Sequence, residues 1–197
     1  MVKSKITSRV HAITDTPLTE KLDYFSAALT ILFALYVAVI RLLHLYPHSK
    51  LVLSSAHSSH VARRAWTLVC SLVYLGHLSY LNLLPRFDYT YNIIFNLVVG
   101  MTHNVLWLIY ALPARLSFIH RFPFQPKSYR PMFVSQIVTL VLLTTCATGL
   151  ELFDFPPVVR IIDAHSLWHL ATAPIAFYWY RFLVADSVDA SWRMHKL

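Results

Sequence analysis

Long apolar segments alternate with polar stretches along the chain, and five of these segments are long enough to predict membrane-crossing helices. A helix needs about 20 consecutive, mostly apolar residues to cross the hydrocarbon core of a bilayer. The predicted spans cover residues 24–43, 66–84, 91–112, 132–150 and 163–184. We therefore expect an all-α, polytopic transmembrane helix bundle over residues 24–185, with a polar amino-terminal segment (1–23) and a polar tail (186–197).

The composition is also that of a membrane protein. Of 197 residues, 57% are hydrophobic, 13% are charged and only 3 are glycine, which is too apolar for an ordinary soluble domain. The formal charge of +8 lies in the connections between apolar runs, and no basic helix is visible, so we expect membrane lipids and no nucleic acid as partners. Cys70 and Cys146 lie inside predicted spans and are expected to pack there as small apolar groups.

The amino-terminal segment is short, polar and basic. Residues 1–14 lack the apolar core of a secretory signal peptide, so no signal peptide is predicted. Asp15 or Thr16 is suited to cap a short helix with Pro17 in its first turn, and this helix would lead directly into the first span. Within that span, we expect the hydroxyl of Ser26 to bond a backbone carbonyl one turn back.

Histidines occur both in a connection and within the spans. The Ser- and His-rich stretch 45–65 is predicted to be a polar connection, in which His48, His57 and His60 are solvated. His77 lies near the middle of the second span, where interhelical hydrogen bonding is its expected role. One further stripe of small or polar residues recurs every three or four positions on the third span, at Asn92, Asn96, Gly100 and His103. It too favours interhelical hydrogen bonds.

The last span opens with His165 and His169, which are four residues apart. On a helix this spacing places both side chains on one face, one turn apart, where they could hold one metal ion. The alternative is a pair of interfacial histidines hydrogen-bonded to neighbouring helices or water. Pro174, inside the same span, should kink the helix and free the backbone carbonyl of Leu170.

Basic residues are unevenly divided between the two sides of the predicted bundle. Five spans place the amino end and the connections 85–91 and 151–162 on one side, side A, and the carboxyl end with the other connections on side B. Side A holds six Lys and Arg residues and side B holds eleven. Because positively charged loops remain in the cytoplasm, side B and the tail are predicted to be cytoplasmic, and side A to be lumenal or external.

Acidic residues show the opposite distribution, since seven of the nine are on side A. These seven are Asp15, Glu20, Asp23, Asp88, Glu151, Asp154 and Asp163. A general avoidance of the positive side by acids accounts for part of this bias. Because His165 and His169 begin on the same side, the distribution favours a polar site just inside the side-A interface.

Five stretches, in order, resemble one known family. They read DTPLTEKLDYF at 15–25, GHLSYL at 76–81, RFDYTYN at 86–92, LELFDFPP at 150–157 and DAHSLWHL at 163–170. In these stretches the chain closely resembles the family of post-GPI-attachment-to-proteins factor three, whose members remodel the lipid of GPI anchors. The resemblance runs from about residue 15 to 186. It implies membership of the CREST superfamily of seven-span membrane hydrolases, of which this chain would hold five spans.

The resemblance also implies a zinc site of three histidines, with a serine and an aspartate nearby. His165 and His169 match the histidine pair, and Asp23 matches the aspartate. In the family, a Ser-x-x-x-His at the end of an earlier span supplies the serine and the third histidine. This chain offers Ser8 and His11 in the corresponding region.

The amino end departs from the family's pattern. Counting back from Asp23, the family's histidine falls at Ala12, one residue after His11, and one residue turns a helical side chain by about 100°. Members also have a lumenal region and earlier spans before this point, so we expect the start to be that of a truncated or mis-spliced product. His77, eleven residues before Asp88, is kept as the substitute third ligand.

These implications predict a GPI-anchor lipid remodelling protein of the endoplasmic reticulum or Golgi membrane. Its activity would be a zinc-dependent, phospholipase A2-like hydrolysis of an acyl ester in GPI-anchored proteins. Zn²⁺ would activate a water molecule that Asp23 orients or deprotonates. The alternative is a non-catalytic membrane protein, or an inactive truncated fragment whose zinc site is incomplete. With only two firm histidine ligands, we expect this chain to be a weak or inactive hydrolase.

Overall fold

The structure is a computed structural model. It describes residues 17–46, 53–153, 155 and 164–192, and for Pro17, residues 53–58, Glu151 and His165 it describes the backbone alone. The described chain forms five α-helices and contains no β-strand. They are α1 (Pro17–Leu42), α2 (Leu53–Leu83), α3 (Tyr89–Ala111), α4 (Gln136–Leu152) and α5 (Ala164–Val188). Two short 3-10 helices, Met132–Ser135 and Ala190–Trp192, lie directly before α4 and after α5. The all-α prediction is confirmed.

Three helices are long and apolar enough to cross a membrane by themselves, in agreement with the predicted first, third and fourth spans. The stretches that meet both criteria are Leu18–Leu42, Tyr89–Ala111 and Met132–Leu150. Helices α2 and α5 are long enough, but α2 begins with a polar Ser- and His-rich half and α5 carries Tyr, Trp and charged residues. For α2 and α5, membrane crossing stays a prediction.

The chain divides into two compact units, Met1–Gly100 and Met101–Leu197, and α3 supplies residues to both. In the first unit α1 packs against α2, around buried residues that include Ala28, Leu32 and Leu81. In the second unit α4 packs against α5. The buried rings of Trp107 and Phe182 lie 5.1 Å apart, edge to face, in that second core. Each unit therefore has its own apolar core.

The end of α1 shows how local sequence sets a helix boundary. His44 has a positive φ of 54°, and the amide of Leu45 donates to the carbonyl of Ile40 over 3.0 Å. This is a common way to end a helix: a residue with left-handed backbone follows the last turn, and the next amide pairs the Ile40 carbonyl, which the helix itself leaves unpaired. Arg41 in the last turn adds a positive charge where the helix dipole is negative.

Two sequence expectations about the helices are wrong. The stretch 45–65 is not a connection throughout, because α2 begins at Leu53 and therefore includes His57 and His60. The reason is that this stretch holds no Gly or Pro after residue 52, so nothing in it stops a helix. Cys146 is exposed on α4 rather than packed, whereas Cys70 is buried as expected, and both thiols are free.

The expected carbonyl contact of Ser26 is confirmed. Its hydroxyl donates to the carbonyl of Asp23 over 2.9 Å, and the Thr30 hydroxyl does the same to Ser26 over 2.8 Å. Such bonds let small polar side chains lie on an apolar helix without leaving a hydroxyl unsatisfied. Polar residues on α1 are therefore compatible with its crossing a membrane.

Candidate functional site

His77, on α2, is the most enclosed ionisable residue of the first unit, with 1% of its surface exposed. Its ring is stacked on Phe95 of α3, with centroids 4.0 Å apart and planes 23° apart. Tyr91 stacks on it at 5.5 Å, and Phe25 of α1 meets it edge-on at 6.5 Å. Aromatic residues of α1 and α3 therefore enclose the imidazole.

The imidazole of His77 has no hydrogen-bond partner in the described part of the chain, and both ring nitrogens are buried. The interhelical hydrogen bond expected from the sequence is therefore absent among these residues, because the neighbours at this position are aromatic rings. Buried polar groups in proteins are nearly always paired, and an unpaired one costs about 1–3 kcal/mol. An exception of this kind points to a function, or to a water molecule or ion that satisfies the nitrogens.

Asp88 holds the beginning of α3. Its Oδ1 accepts a hydrogen bond from the Tyr91 amide over 2.9 Å, the side-chain capping contact that starts many helices. Its Oδ2 accepts one from the Tyr80 hydroxyl over 3.3 Å. The Tyr80 and Tyr91 rings lie 4.4 Å apart, and Tyr91 in turn stacks on His77. Asp88 therefore fixes the aromatic side chains that enclose His77.

The turn between α2 and α3 forms an open groove of about 550 Å³, lined by residues 84–90. Phe87 in this groove stacks on Tyr24 of α1 at 5.1 Å, next to Asp23, whose side chain is half-buried. The Tyr89 hydroxyl donates to Oε1 of Glu20 over 2.6 Å. The first turns of α1 and the 84–90 groove are therefore held together by aromatic and polar contacts.

The histidine pair lies in the first two turns of α5. The backbone is helical at both His165 and His169, so the predicted helical spacing of the pair is confirmed. The His169 side chain is exposed, and its ring lies 4.7 Å from that of Trp168. The Thr172 hydroxyl donates to the Trp168 carbonyl over 2.8 Å. Helix α5 continues through Pro174, which has no amide hydrogen to donate to the Leu170 carbonyl. The predicted kink of the helix stays a prediction.

The zinc site itself stays a prediction. Ser8 and His11 lie outside the described residues, as does the side chain of His165. Among the residues that the structure describes, no group of three His, Cys, Asp or Glu side chains could hold a metal. Asp23 belongs to the first unit and His169 to the second, and each unit is described by itself. A shared cavity for them stays a prediction.

A second buried histidine, His103 on α3, belongs to the second unit and has polar partners. Its Nδ1 lies 3.1 Å from Oδ1 of Asn104, and the Asn104 amide donates to the Thr145 hydroxyl of α4 over 3.1 Å. The Trp179 indole of α5 donates to the Thr144 hydroxyl over 3.0 Å. These two sets of bonds separately join α3 to α4 and α5 to α4, and Asn104, the link from α3, was missed because it lies outside the predicted stripe.

The connection after α3 is fastened by Arg121, which is 1% exposed. Its guanidinium donates to the carbonyls of Tyr110, over 2.8 Å, and of Leu112, at the end of α3. Tyr110 donates through its hydroxyl to the buried carboxylate of Asp186 over 2.5 Å. Burial, followed by a hydrogen bond to Asp189, raises the pKa of Tyr129 in this connection. These contacts are structural, since they close the ends of α3 and α5.

Comparisons with known proteins agree with these motifs. The Per1-like family model matches residues 1–187. A relative from Schizosaccharomyces pombe, Protein PER1 homolog, is 40% identical over 181 residues, which are 90% of this chain and 47% of that protein. GPI-specific phospholipase A2-like PGAP3 from Homo sapiens is 34% identical over 92% of this chain and 48% of its own length.

A third relative, Post-GPI attachment to proteins factor 3 from Drosophila melanogaster, is 36% identical over 89% of this chain and 46% of its own length. The chain thus spans about half the length of the curated relatives it matches. No solved structure matches it. Because the family model covers nearly the whole sequence, the chain belongs to the Per1-like family.

Proposed function

We propose that this chain takes part in GPI-anchor lipid remodelling, as a phospholipase A2-like hydrolase of an acyl ester in GPI-anchored proteins. Support comes from the family and from relatives whose names refer to GPI-specific phospholipase A2-like activity and to post-GPI attachment. The apolar helices fit a substrate whose acyl chains lie in a bilayer. The proposed location is the membrane of the endoplasmic reticulum or Golgi.

The observation that carries the proposal is the buried imidazole of His77. Its two nitrogens have no partner among the described residues, although it lies within one of the family-like motifs. A stabilising role would normally require a hydrogen bond, because an unpaired buried imidazole lowers stability. A metal ion or a bound substrate would give these nitrogens the partner that they lack among the described residues.

The donor set fits zinc by its chemistry, since imidazole is a preferred zinc ligand. We propose that His165, His169 and a third histidine hold the ion. His11 is the proposed third ligand, as the family's pattern implies, and His77, whose nitrogens have no partner among the described residues, is the substitute. Zn²⁺ bound there would lower the pKa of a coordinated water and provide hydroxide at neutral pH.

The remaining chemistry belongs to carboxylates and to the lipid. Hydrolysis adds water across the ester, so the acyl carbonyl carbon gains the hydroxyl and the glycerol oxygen leaves with a proton. Asp23 is the proposed group that orients the attacking water or accepts its proton, and Ser8 is a proposed contact to the ester. Asp88 has a different role here: it positions the aromatic residues around His77, because both of its oxygens already accept hydrogen bonds.

The test is expression of the 197-residue chain in cells that lack the family protein, followed by mass spectrometry of the lipid on GPI-anchored proteins. The proposal predicts that the chain removes one acyl chain from that lipid, in contrast to the weak or inactive hydrolase expected if only His165 and His169 hold the ion. His169→Ala and His77→Ala should each abolish this removal while the protein remains inserted. His60→Ala, on the same helix as His77 but in its polar half, is the matched control and should keep the activity.

The competing hypothesis, a non-catalytic or inactive membrane protein, predicts a different result. In that case the folded, inserted chain leaves the GPI lipid unchanged, and the histidine variants behave like the parent. The proposal is rejected by that outcome. It is also rejected if His77→Ala and His169→Ala remove the acyl chain as well as the unchanged protein does.

A further inference from the structure

The connection that follows α3 exposes large apolar side chains. It covers residues 112–131 and contains no α-helix. Leu116 and Phe118 are 68% and 71% exposed, and Phe124 is 41% exposed. Side chains of this size in contact with water forgo the free energy that burial would supply. A partner that covers these three exposed apolar side chains would therefore be bound favourably.

The connection is held in one shape by its own contacts. The Arg121 guanidinium donates to the carbonyls of Tyr110 and Leu112, as described above. The Ser117 hydroxyl donates to a carbonyl two residues further on, over 3.1 Å. The buried Phe122 ring lies 5.0 Å from that of Trp192. Because these residues already point inward, the exposed apolar side chains remain outside the core of the second unit.

Cations accompany the exposed apolar side chains. The connection contains four Lys and Arg residues and no Asp or Glu. Arg121 is buried, whereas Arg115, Lys127 and Arg130 are exposed. The side chains of these three exposed cations form no ion pair or hydrogen bond with any residue that the structure describes. Their hydrogen-bonding capacity is therefore available to an external anion.

Two carboxylates at the end of α5 pack near the connection, and neither is paired with an exposed cation. Asp186 is 2% exposed and accepts a hydrogen bond from the Tyr110 hydroxyl over 2.5 Å. Asp189 is half-buried and accepts from the Tyr129 hydroxyl over 3.2 Å and from the Ser191 amide over 2.9 Å. Against three exposed cations, these carboxylates leave the surface of the connection positive.

The neighbouring spans determine where this surface lies. Tyr89–Ala111, before the connection, and Met132–Leu150, after it, are both long and apolar enough to cross a membrane. A segment that joins two such spans lies at one surface of the bilayer. The distribution of basic residues predicts that this surface faces the cytoplasm, and cytoplasmic leaflets carry anionic phospholipids.

We propose that connection 112–131 is an interfacial anchor for an anionic membrane surface. The three exposed apolar side chains insert between lipid acyl chains, and the three exposed cations bind the headgroups of phosphatidylserine. Apolar insertion together with attraction to anionic headgroups is the combination that binds protein segments to membrane surfaces. The anchor binds lipids of the surrounding leaflet and takes no part in the proposed reaction.

Insertion is tested on the purified full chain in nanodiscs, with a carbene-generating probe dissolved in the lipid and mass spectrometry of the labelled peptides. Labelling of each residue is divided by its labelling in the unfolded chain. We expect Phe118 to be labelled about as strongly as Leu142, an exposed residue of the apolar α4. Ser128, an exposed polar residue of the same connection, should be labelled much less.

Binding of headgroups is tested by titrating dioctanoyl phosphatidylserine or dioctanoyl phosphatidylcholine onto the full chain in detergent, with native mass spectrometry. Arg130→Gln should weaken binding of the serine lipid about fivefold, because one cation near an anionic surface contributes about that much. Arg130→Lys should bind like the parent. Arg86→Gln, at an exposed arginine on the other predicted side of the membrane, is the matched control and should also bind like the parent. Binding of the choline lipid should be the same in all four proteins.

Equal weakening by Arg130→Gln and Arg86→Gln would overturn the headgroup site, because binding would then follow the net charge alone. Labelling of Phe118 no stronger than that of Ser128 would overturn the insertion, and the apolar side chains would then be open to a protein partner. Hydrolysis of GPI lipid enters neither measurement, so the anchor and the proposed function fail or succeed separately.

Discussion

Two buried histidines, one in each compact unit, differ in their surroundings. His77 is 1% exposed and enclosed by the rings of Phe95, Tyr91 and Phe25, with no polar partner for either nitrogen among the described residues. His103 is 9% exposed and meets the Asn104 side chain, which continues to Thr145 on the next helix. The same residue type is thus unsatisfied in one unit and built into a polar network in the other.

The difference separates a stabilising role from a functional one. A polar group within a membrane helix contributes to stability only when it bonds to a neighbouring helix. His103 is joined to α4 through the Asn104 side chain, which donates to Thr145, whereas His77 has no such link among the described residues. An ionisable group that remains in an apolar environment without such a bond is the starting hypothesis for a functional site, because its cost is not offset by a hydrogen bond. The four predictions below test this contrast, from the largest expected effect to the smallest.

The largest effect is expected from His77→Phe. Removing the imidazole should lower GPI-lipid acyl removal by more than about a hundredfold, since even indirect supports of a metal site are worth 10–100-fold. With metal removed by a chelator, the free energy of unfolding should not fall, because the new ring can stack on Phe95 and Tyr91 and no hydrogen bond is lost. Product analysis by mass spectrometry and chelator-treated thermal unfolding check the two parts. If His77→Phe still removed the acyl chain but unfolded more easily than the parent, His77 would have a stabilising role instead of a functional one.

The buried guanidinium of Arg121 should have the largest effect on stability alone. Arg121→Met leaves the carbonyls of Tyr110 and Leu112 without their donor and should cost about 3 kcal/mol. Denaturant unfolding in detergent measures the change. Arg115→Met, at an exposed position of the same connection, should stay within about 0.5 kcal/mol of the parent. Similar losses for both variants would show that burial of Arg121 contributes nothing.

His103→Leu should reduce stability and spare the chemistry. The change leaves the Asn104 carbonyl oxygen without the imidazole, which should cost about 1–2 kcal/mol. Thermal unfolding of the purified variant measures this loss. The acyl removal per folded molecule should equal that of the parent. If His103→Leu were as stable as the parent but inactive, the division between the two histidines would be wrong.

The smallest effect is expected at the cap of α3. Asp88→Ala removes the acceptor for the Tyr91 amide and should cost about 1 kcal/mol, whereas Asp88→Asn keeps an acceptor and should cost less. Because Asp88 also positions the rings around His77, both variants should show a drop in activity smaller than that of His77→Phe. Paired thermal unfolding and activity measurements test this order. Complete inactivation of a normally folded Asp88→Asn would instead make Asp88 part of the reaction.

The sequence was sufficient for the helices but not for the surroundings of the histidines. Apolar runs locate the five helices because burial in a bilayer demands about 20 apolar residues, and this demand is local. The early start of α2 at Leu53 was missed because a polar helix outside an apolar run has no hydrophobic signal. Helical spacing likewise placed His165 and His169 correctly on one helix.

The environment of His77 could not be read from spacing. Its partners come from α1 and α3, at Phe25, Tyr91 and Phe95, and which faces meet is decided by tertiary packing. A polar residue in an apolar span is most often bonded to its neighbours, so the sequence favoured a hydrogen bond that the described chain does not form. The Asn104 link was also missed, since it has no periodic signature.

The most direct test of the central claim is the zinc content of the purified chain and of two variants, determined by mass spectrometry of the metal. With His77 as the substitute third ligand, the account predicts about one zinc per chain in the parent and in His103→Leu, and close to none in His77→Phe. Zinc retained in full by His77→Phe would show that its unpaired nitrogens do not hold the ion. Loss of zinc from His103→Leu but not from His77→Phe would contradict the account outright.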